Sequence, residues 1–237
     1  MSKKYGNEQV GISAEIAIGD LCGVAIAEEY RRRGQPELIA HISPALVATI
    51  NRIPKPTKHI AADQNPVDFL LTGGKTLSVK SNMKSAGKIA PQKIGQPTSS
   101  TFWELLPDLA PEGIDTSKLS YAESAKLFKK VALSNIAELL TAYWESLFDC
   151  DHMIYVYNVI AKKDQLSSAP TVNLYGKLSS PIWVESEITF TQSLVSWNES
   201  CTVKYYGISI GEFQVHNNRD CFKFRMNFGG LMKLGLL

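Results

Sequence analysis

The amino-acid sequence predicts an α/β fold, a central mixed β-sheet flanked by helices, with a β-rich carboxyl-terminal part. Three observations carry that expectation. Residues 120–147 open on Ser120-Tyr121-Ala122-Glu123, a capping box, and then place Leu127, Val131, Ile136, Leu139, Leu140, Tyr143 and Leu147 along one side of a helix. Phe69, Leu70 and Leu71 on one side of Gly73-Gly74, and Leu77 and Val79 on the other, read as two strands buried in a mixed sheet. Residues 153–160 (MIYVYNVI) form a further buried strand, and the chain beyond them alternates sufficiently, as far as Phe228, to be mainly β.

The remaining elements follow in order. Residues 12–33 set Ile12, Ile16, Ala25, Ile26 and Tyr30 at helical spacing and end on Arg31-Arg32-Arg33, which suits a helix carboxyl terminus. A second helix is expected over 36–52, with Pro36 at its start and Ile53-Pro54-Lys55-Pro56 stopping it. Residues 83–101, rich in Lys, Gly, Gln, Pro and Ser and without periodicity, read as a long loop of the functional kind.

A chain of 237 residues can bury a core without staples, and one domain spanning 1–237 is expected, residues 1–150 holding the helices and the hairpin and 151–237 the β-rich portion. With 44% hydrophobic and 20% charged residues, disordered and fibrous classes fit poorly. The apolar stretch 12–27 is broken by Ser13, Glu15, Asp20 and glycines, so no membrane span is expected. The amino end, MSKKYGNEQ, lacks the apolar core of a signal peptide, and a cytoplasmic location is expected. Cys22, Cys150, Cys201 and Cys221 lack CxxC spacing, so they are expected to be reduced and structural. A net charge of +2 allows nucleic-acid binding without demanding it. The distribution says more: Lys75, Lys80, Lys84, Lys88 and Lys93 lie in a stretch without acids, which suits either a solvated face or phosphate contact.

The hairpin between Asn65 and Asn82 holds the residues suited to chemistry. Asp68 stands on one short apolar run, and Ser78 and Lys80 share a face of the next because side chains alternate. A two-residue Gly73-Gly74 loop would set Asp68 against Val79. A three-residue loop, using Thr72 or Lys75 as well, sets it opposite Ser78 or Lys80, and the longer loop is expected. Phosphodiester hydrolysis needs charge neutralised on the phosphoryl oxygens and a placed water. Asp68 is a suitable Mg²⁺ ligand, and Lys80 can orient the water or offset transition-state charge. One carboxylate is insufficient, so a second acid must come from elsewhere: Glu104, at an expected helix start, is the first candidate and Glu15 the second.

On these residues the sequence resembles the PD-(D/E)XK nucleases, and more particularly type II restriction endonucleases. Pro66 and Asp68 approximate the PD element with Val67 inserted, and Ser78-Val79-Lys80 occupies the (D/E)XK element with serine in the acidic position. Some members of that family carry serine there, the missing acid having moved to a following helix. The resemblance implies that Asp68 is a metal ligand, Lys80 the catalytic lysine, and Glu104 the displaced acid. The early GISAEIA helix with Glu15, the KIAPQKIGQPTSSTF loop and the late GEFQVHNNRDCFKFRM segment extend the likeness. It further implies a restriction-endonuclease-like fold and Mg²⁺-dependent, site-specific cleavage of double-stranded DNA to 5′-phosphate ends. A homodimer then matches a palindromic site.

Side chains suited to DNA lie in two places. Gln92 and Gln96 follow the hairpin, and Gln214, His216, Asn217, Asn218 and Arg219 cluster late in the chain. Gln and Asn suit adenine and Arg suits guanine in the major groove. Phe213 and Val215, then Phe222 and Phe224, predict a late hairpin whose tip holds Asn217-Asn218, while Lys223, Arg225, Lys84 and Lys88 suit phosphates. Two other readings stay open: a repair or recombination nuclease of the same fold that reads DNA structure, and a DNA-binding module without catalysis.

Overall fold

The computed structural model describes residues 5–61, 65–161, 165–217 and 219–237, and the chain divides into two compact units. The first comprises residues 1–89 and 148–178, the second residues 90–147 and 179–237. The predicted α/β class is observed: a mixed sheet with helices in the first unit, and an antiparallel sheet in the carboxyl-terminal part. Among the described residues no helix is long and apolar enough to cross a membrane.

The first unit opens with helix α1 (Asn7–Cys22), followed by α2 (Glu28–Arg31) and α3 (Pro36–Ile50). The single helix expected over 12–33 is therefore two. Gly23 adopts φ 70°, ψ 31°, the left-handed conformation in which glycine carries no Cβ penalty, and the Val24 N–H closes back on the Gly19 carbonyl at 2.9 Å. Helix α1 packs against α3 and against the sheet, so its apolar residues run around much of its circumference: Val10, Ala14, Ile16, Ala17 and Ile18 are all fully buried. The carboxylate of Glu15 is carried into the interior with them.

The sheet follows as β1 (Pro56–His59), β2 (Phe69–Leu71), β3 (Thr76–Ser81), β5 (His152–Tyr157) and β6 (Thr171–Gly176), in that spatial order. A two-residue strand, β4 (Lys88–Ile89), lies at the boundary between the units. Only β3 and β5 run parallel, Leu77 facing His152 and Lys80 facing Tyr155. Leu77, Val79, Ile154 and Val156 fill the space under α1 and α3 with Phe69 and Leu71.

The second unit contains α4 (Ser99–Leu105), α5 (Tyr121–Ser134), α6 (Ile136–Leu147) and the antiparallel run β7 (Ile188–Phe190), β8 (Ser200–Tyr205), β9 (Ile208–Val215) and β10 (Phe222–Asn227), closed by α7 (Phe228–Lys233). The Ser120 capping box is present: the Ser120 N–H donates to Glu123 Oε2 at 2.9 Å and the Glu123 N–H to Ser120 Oγ at 3.4 Å. The long helix it opens is broken at Asn135 (φ −126°, ψ 40°). The Asn135 N–H ends α5 on the Val131 carbonyl, and its own carbonyl starts α6 by accepting from the Leu139 N–H. Phe102, Phe128, Tyr143, Phe213, Phe222 and Phe224 meet in one aromatic core, with Phe128 stacked on Phe222 at 4.4 Å and Tyr143 on Phe224 at 4.2 Å between centroids. Such pairs contribute roughly 0.5–1.5 kcal/mol each beyond the area they bury.

Candidate active site

The site assembles in the first unit around the turn between β2 and β3. Thr72, Gly73 and Gly74 form the loop, the Leu71 N–H donating to the Lys75 carbonyl at 2.7 Å, so it is the three-residue connection expected. Gly73 and Gly74 both have positive φ, 80° and 75°, which explains the pair of glycines. Phe69 then faces Leu77, and continuing the register sets Asp68 opposite Ser78.

The backbone of Asp68 is held from both sides. Its N–H donates to the Leu77 carbonyl at 2.9 Å and its carbonyl accepts from the Ile60 N–H at 2.8 Å. The side chain substitutes for strand pairing that β2 does not provide: Asp68 Oδ2 accepts the Val79 N–H at 2.6 Å. The Ser78 hydroxyl lies 3.4 Å from that same oxygen and 3.4 Å from the Pro66 carbonyl. Among the described residues no hydrogen bond takes up Asp68 Oδ1 or the Lys80 ammonium. Asp68 is 5% exposed and Ser78 1%, while Lys80, on the same face of β3 as Ser78, is half-buried.

Burial is the main cause that lifts the Asp68 carboxyl from its ordinary 3.8 to about 6. Lys80 opposes that rise, the Glu15 charge adds to it, and the Val79 N–H and His59 oppose it. Three predicted residues, Asp68, Lys80 and Glu15, thus share one electrostatic field. Burial also pushes the neighbouring Cys150 thiol up to about 11, against the pull of Lys80, which keeps it an unreactive structural thiol.

Glu15 reaches this field from α1. Its Oε2 accepts from the Tyr30 hydroxyl at 2.6 Å and from His59 Nε2 at 3.0 Å, and no described hydrogen bond takes Oε1. His59 stands on β1 across from Phe69, the residue after Asp68. Tyr30 and His59 escaped the sequence reading because neither lies in a motif, and only the pairing of β1 with β2 brings His59 beside Asp68.

Two carboxylates, each with one oxygen fixed and one free of hydrogen bonds, are hard oxygen donors of the type Mg²⁺ takes with water and phosphate filling the rest of its shell. The donor set therefore fits that ion. No group of three or more His, Cys, Asp or Glu side chains is gathered as an all-protein cage among the described residues, and Mg²⁺ does not ordinarily need one.

Glu104 belongs to the second unit, where its side chain is exposed on α4. That unit also holds most of the side chains singled out for DNA. The predicted late hairpin is present as β9 and β10, with Val215 facing Phe222, Gln214 facing Lys223 and Glu212 facing Arg225. The N–H groups of Phe222 and Phe224 donate to the carbonyls of Pro97 and Gly95, so residues 95–97 lie along β10 and set Gln96 across from Lys223. Glu212 Oε1 accepts from Gln214 Nε2 at 2.9 Å and from Arg225 Nη2 at 2.6 Å, fixing both side chains on that face. Burial lowers the Lys223 ammonium from its usual range, with nearby Arg225 adding to the effect.

Gln92 is half-buried, and its carbonyl accepts from Ser146 Oγ at 3.0 Å. The His216 carbonyl accepts from the Tyr121 hydroxyl. The Asn217 side chain donates to Asn198 Oδ1 at 3.0 Å, and Arg219 is exposed. Asn218 lies outside the described residues. In the first unit Lys84 is exposed and Lys88 half-buried.

No protein-family model matches the chain, and no solved structure matches it. The chain is similar to the type II restriction enzyme CviAII of Paramecium bursaria Chlorella virus 1, with 35% identity over 185 residues. That match takes in 74% of this chain and 46% of the viral enzyme, so the chain spans about half the length of its curated relative.

Proposed function

We propose that this chain is a Mg²⁺-dependent, site-specific endonuclease that hydrolyses both strands of DNA and leaves 5′-phosphate ends, as a member of the PD-(D/E)XK nucleases with serine in the acidic position. The observation that carries the reading is the geometry around Asp68: it stands opposite Ser78, on the face of β3 that also bears Lys80, and β1 brings His59, which holds Glu15, across from the adjoining Phe69. The similarity to a type II restriction enzyme supports it.

In this reading Asp68 and Glu15 would hold the cation, each having one carboxylate oxygen without a hydrogen bond among the described residues. Glu15 is preferred to Glu104 as the second acid because its charge reaches Asp68. Bound Mg²⁺ supplies charge neutralisation on the phosphoryl oxygens and a more acidic water. Val79 N–H and Ser78 engage Asp68 Oδ2, which leaves the other oxygen available as a ligand. Lys80, with its ammonium uncommitted among the described residues, orients the attacking water and donates to a non-bridging phosphoryl oxygen. The water oxygen bonds to phosphorus as the bond to the 3′-oxygen breaks. The water gives up its proton to solvent, the 3′-oxygen leaves with the bonding pair and takes a proton from solvent to become a hydroxyl, and the phosphate stays on the 5′ side.

The second unit supplies the reading of sequence. Gln96, Gln214, Lys223 and Arg225 lie on one face and suit base edges and adjoining phosphates. Gln92, His216, Asn217, Asn218 and Arg219 extend that role, and Lys84 and Lys88 add phosphate contact. A homodimer acting in the cytoplasm would place two equivalent centres on a palindrome.

The test is a digest of plasmid DNA of known sequence with Mg²⁺. Discrete, reproducible bands are expected, abolished in Asp68→Ala and Lys80→Ala, and reduced on the order of 10²-fold or more in Glu15→Ala while Glu104→Ala retains cleavage. Loss in Glu104→Ala with retention in Glu15→Ala would return the second acid to α4. A smear, or preference for branched DNA, supports a repair nuclease, and binding without cutting supports a non-catalytic module.

A further inference from the structure

We propose that Tyr30 and His59 are positioning residues that fix the Glu15 carboxylate with Oε1 turned to the cation, an inference that rests on the reading of Asp68 and Glu15 as metal ligands. The geometry is specific. Glu15 and His59 have side chains only 9% and 7% exposed, so neither can exchange its partner for water without opening the unit. The Tyr30 hydroxyl and His59 Nε2 both end on Oε2, at 2.6 and 3.0 Å, and two donors on one oxygen fix the rotation of the carboxylate plane. Because Nε2 must donate, its hydrogen is assigned by this contact.

The histidine ring is itself packed in place. Tyr30 meets it edge-on at 4.7 Å between centroids and Phe69 meets it at a tilt at 4.9 Å. Phe69 is covalently next to Asp68, and the pairing of His59 with Phe69 is a backbone register between β1 and β2. The backbone connection that fixes Asp68 therefore also fixes the donor that holds Glu15. A buried pair serving stability alone would have no need to put both donors on Oε2 and leave Oε1 without a hydrogen bond among the described residues. Partners outside the ligand shell that orient a ligating group typically change metal affinity by about 10–100-fold when removed.

The test measures metal binding apart from cleavage. Calorimetric titration of the DNA-free protein with Mn²⁺, and the Mg²⁺ concentration giving half-maximal cleavage, are compared for wild type, Tyr30→Phe, His59→Leu and His59→Gln. Tyr30→Phe and His59→Leu are expected to weaken Mn²⁺ binding by about 10-fold or more and to raise the Mg²⁺ requirement in parallel, without altering DNA affinity in metal-free buffer. His59→Gln, which keeps an N–H donor near the position of Nε2, should recover most of the loss. Circular dichroism melts check folding, and Tyr30→Phe, which removes a single oxygen, carries the test should His59→Leu fail to fold. Wild-type Mn²⁺ affinity in folded Tyr30→Phe and His59→Leu overturns the proposal, while loss of binding in Asp68→Ala leaves the ligand reading standing. Unchanged binding in both Asp68→Ala and Glu15→Ala overturns the ligand reading and the proposal with it.

Discussion

Replacing Asp68 with Asn is expected to make the metal-free protein more stable at neutral pH while abolishing cleavage. Asparagine keeps the shape and an oxygen to accept the Val79 N–H, but removes a negative charge from a site only 5% exposed. The folded-state pKa of Asp68 is about 6 against an ordinary 3.8, so between those values the folded state holds more protons than the unfolded one. Stability contributed by this group is therefore fully present below 3.8 and is lost as pH rises through about 6. At about 1.4 kcal/mol per pH unit, the displacement amounts to a cost of up to about 3 kcal/mol at pH 7.5. The weaker hydrogen bond to a neutral acceptor offsets part of the gain in the variant. Urea denaturation in EDTA, at pH 4 and pH 7.5, measures the difference directly: the variant should exceed wild type at pH 7.5, with the gap closing at pH 4. Added Mg²⁺ should then stabilise wild type and leave the variant unmoved. The reasoning fails if the variant is no more stable at pH 7.5, or if its advantage is the same at both pH values.

Two further outcomes concern the second unit. The Tyr143 hydroxyl is buried without a hydrogen-bond partner among the described residues, so Tyr143→Phe should raise stability by roughly 1 kcal/mol, read as a higher urea midpoint at unchanged slope. A Cβ on Gly230 would stand 1.9 Å from the Ser209 carbonyl oxygen, so Gly230→Ala must displace β9 or α7 and should cost about 2 kcal/mol or more; a melt indistinguishable from wild type contradicts this.

Local patterns were legible in the sequence wherever one period or one turn decided the structure. The Gly73-Gly74 pair marked the turn, the need to set Asp68 against the face shared by Ser78 and Lys80 predicted a loop longer than that pair, and Asp68 does stand against Ser78. The late hairpin was legible for the same reason, since Phe213, Val215, Phe222 and Phe224 alternate into the core. Helix breaks were missed because apolar spacing continued through them: Gly23 and Asn135 interrupt the backbone without interrupting the hydrophobic pattern. The setting of Glu15 was not legible at all. Its partners Tyr30 and His59 come from α2 and β1, and only tertiary packing brings them to one oxygen.

The parallel pairing of β3 with β5 has a consequence for synthesis on the ribosome. Residues 82–151, which include α4, α5 and α6 of the second unit, must be made between these two strands. At roughly 5–20 residues per second, β3 waits several seconds with one edge open after its hairpin with β2 can close. Leu77 and Val79 then lie on an unpaired apolar strand, the type of edge that recruits other chains. The nascent chain is thus most prone to aggregation during this interval, and slowing translation within residues 82–151 should lower its soluble yield more than slowing it after Gly176.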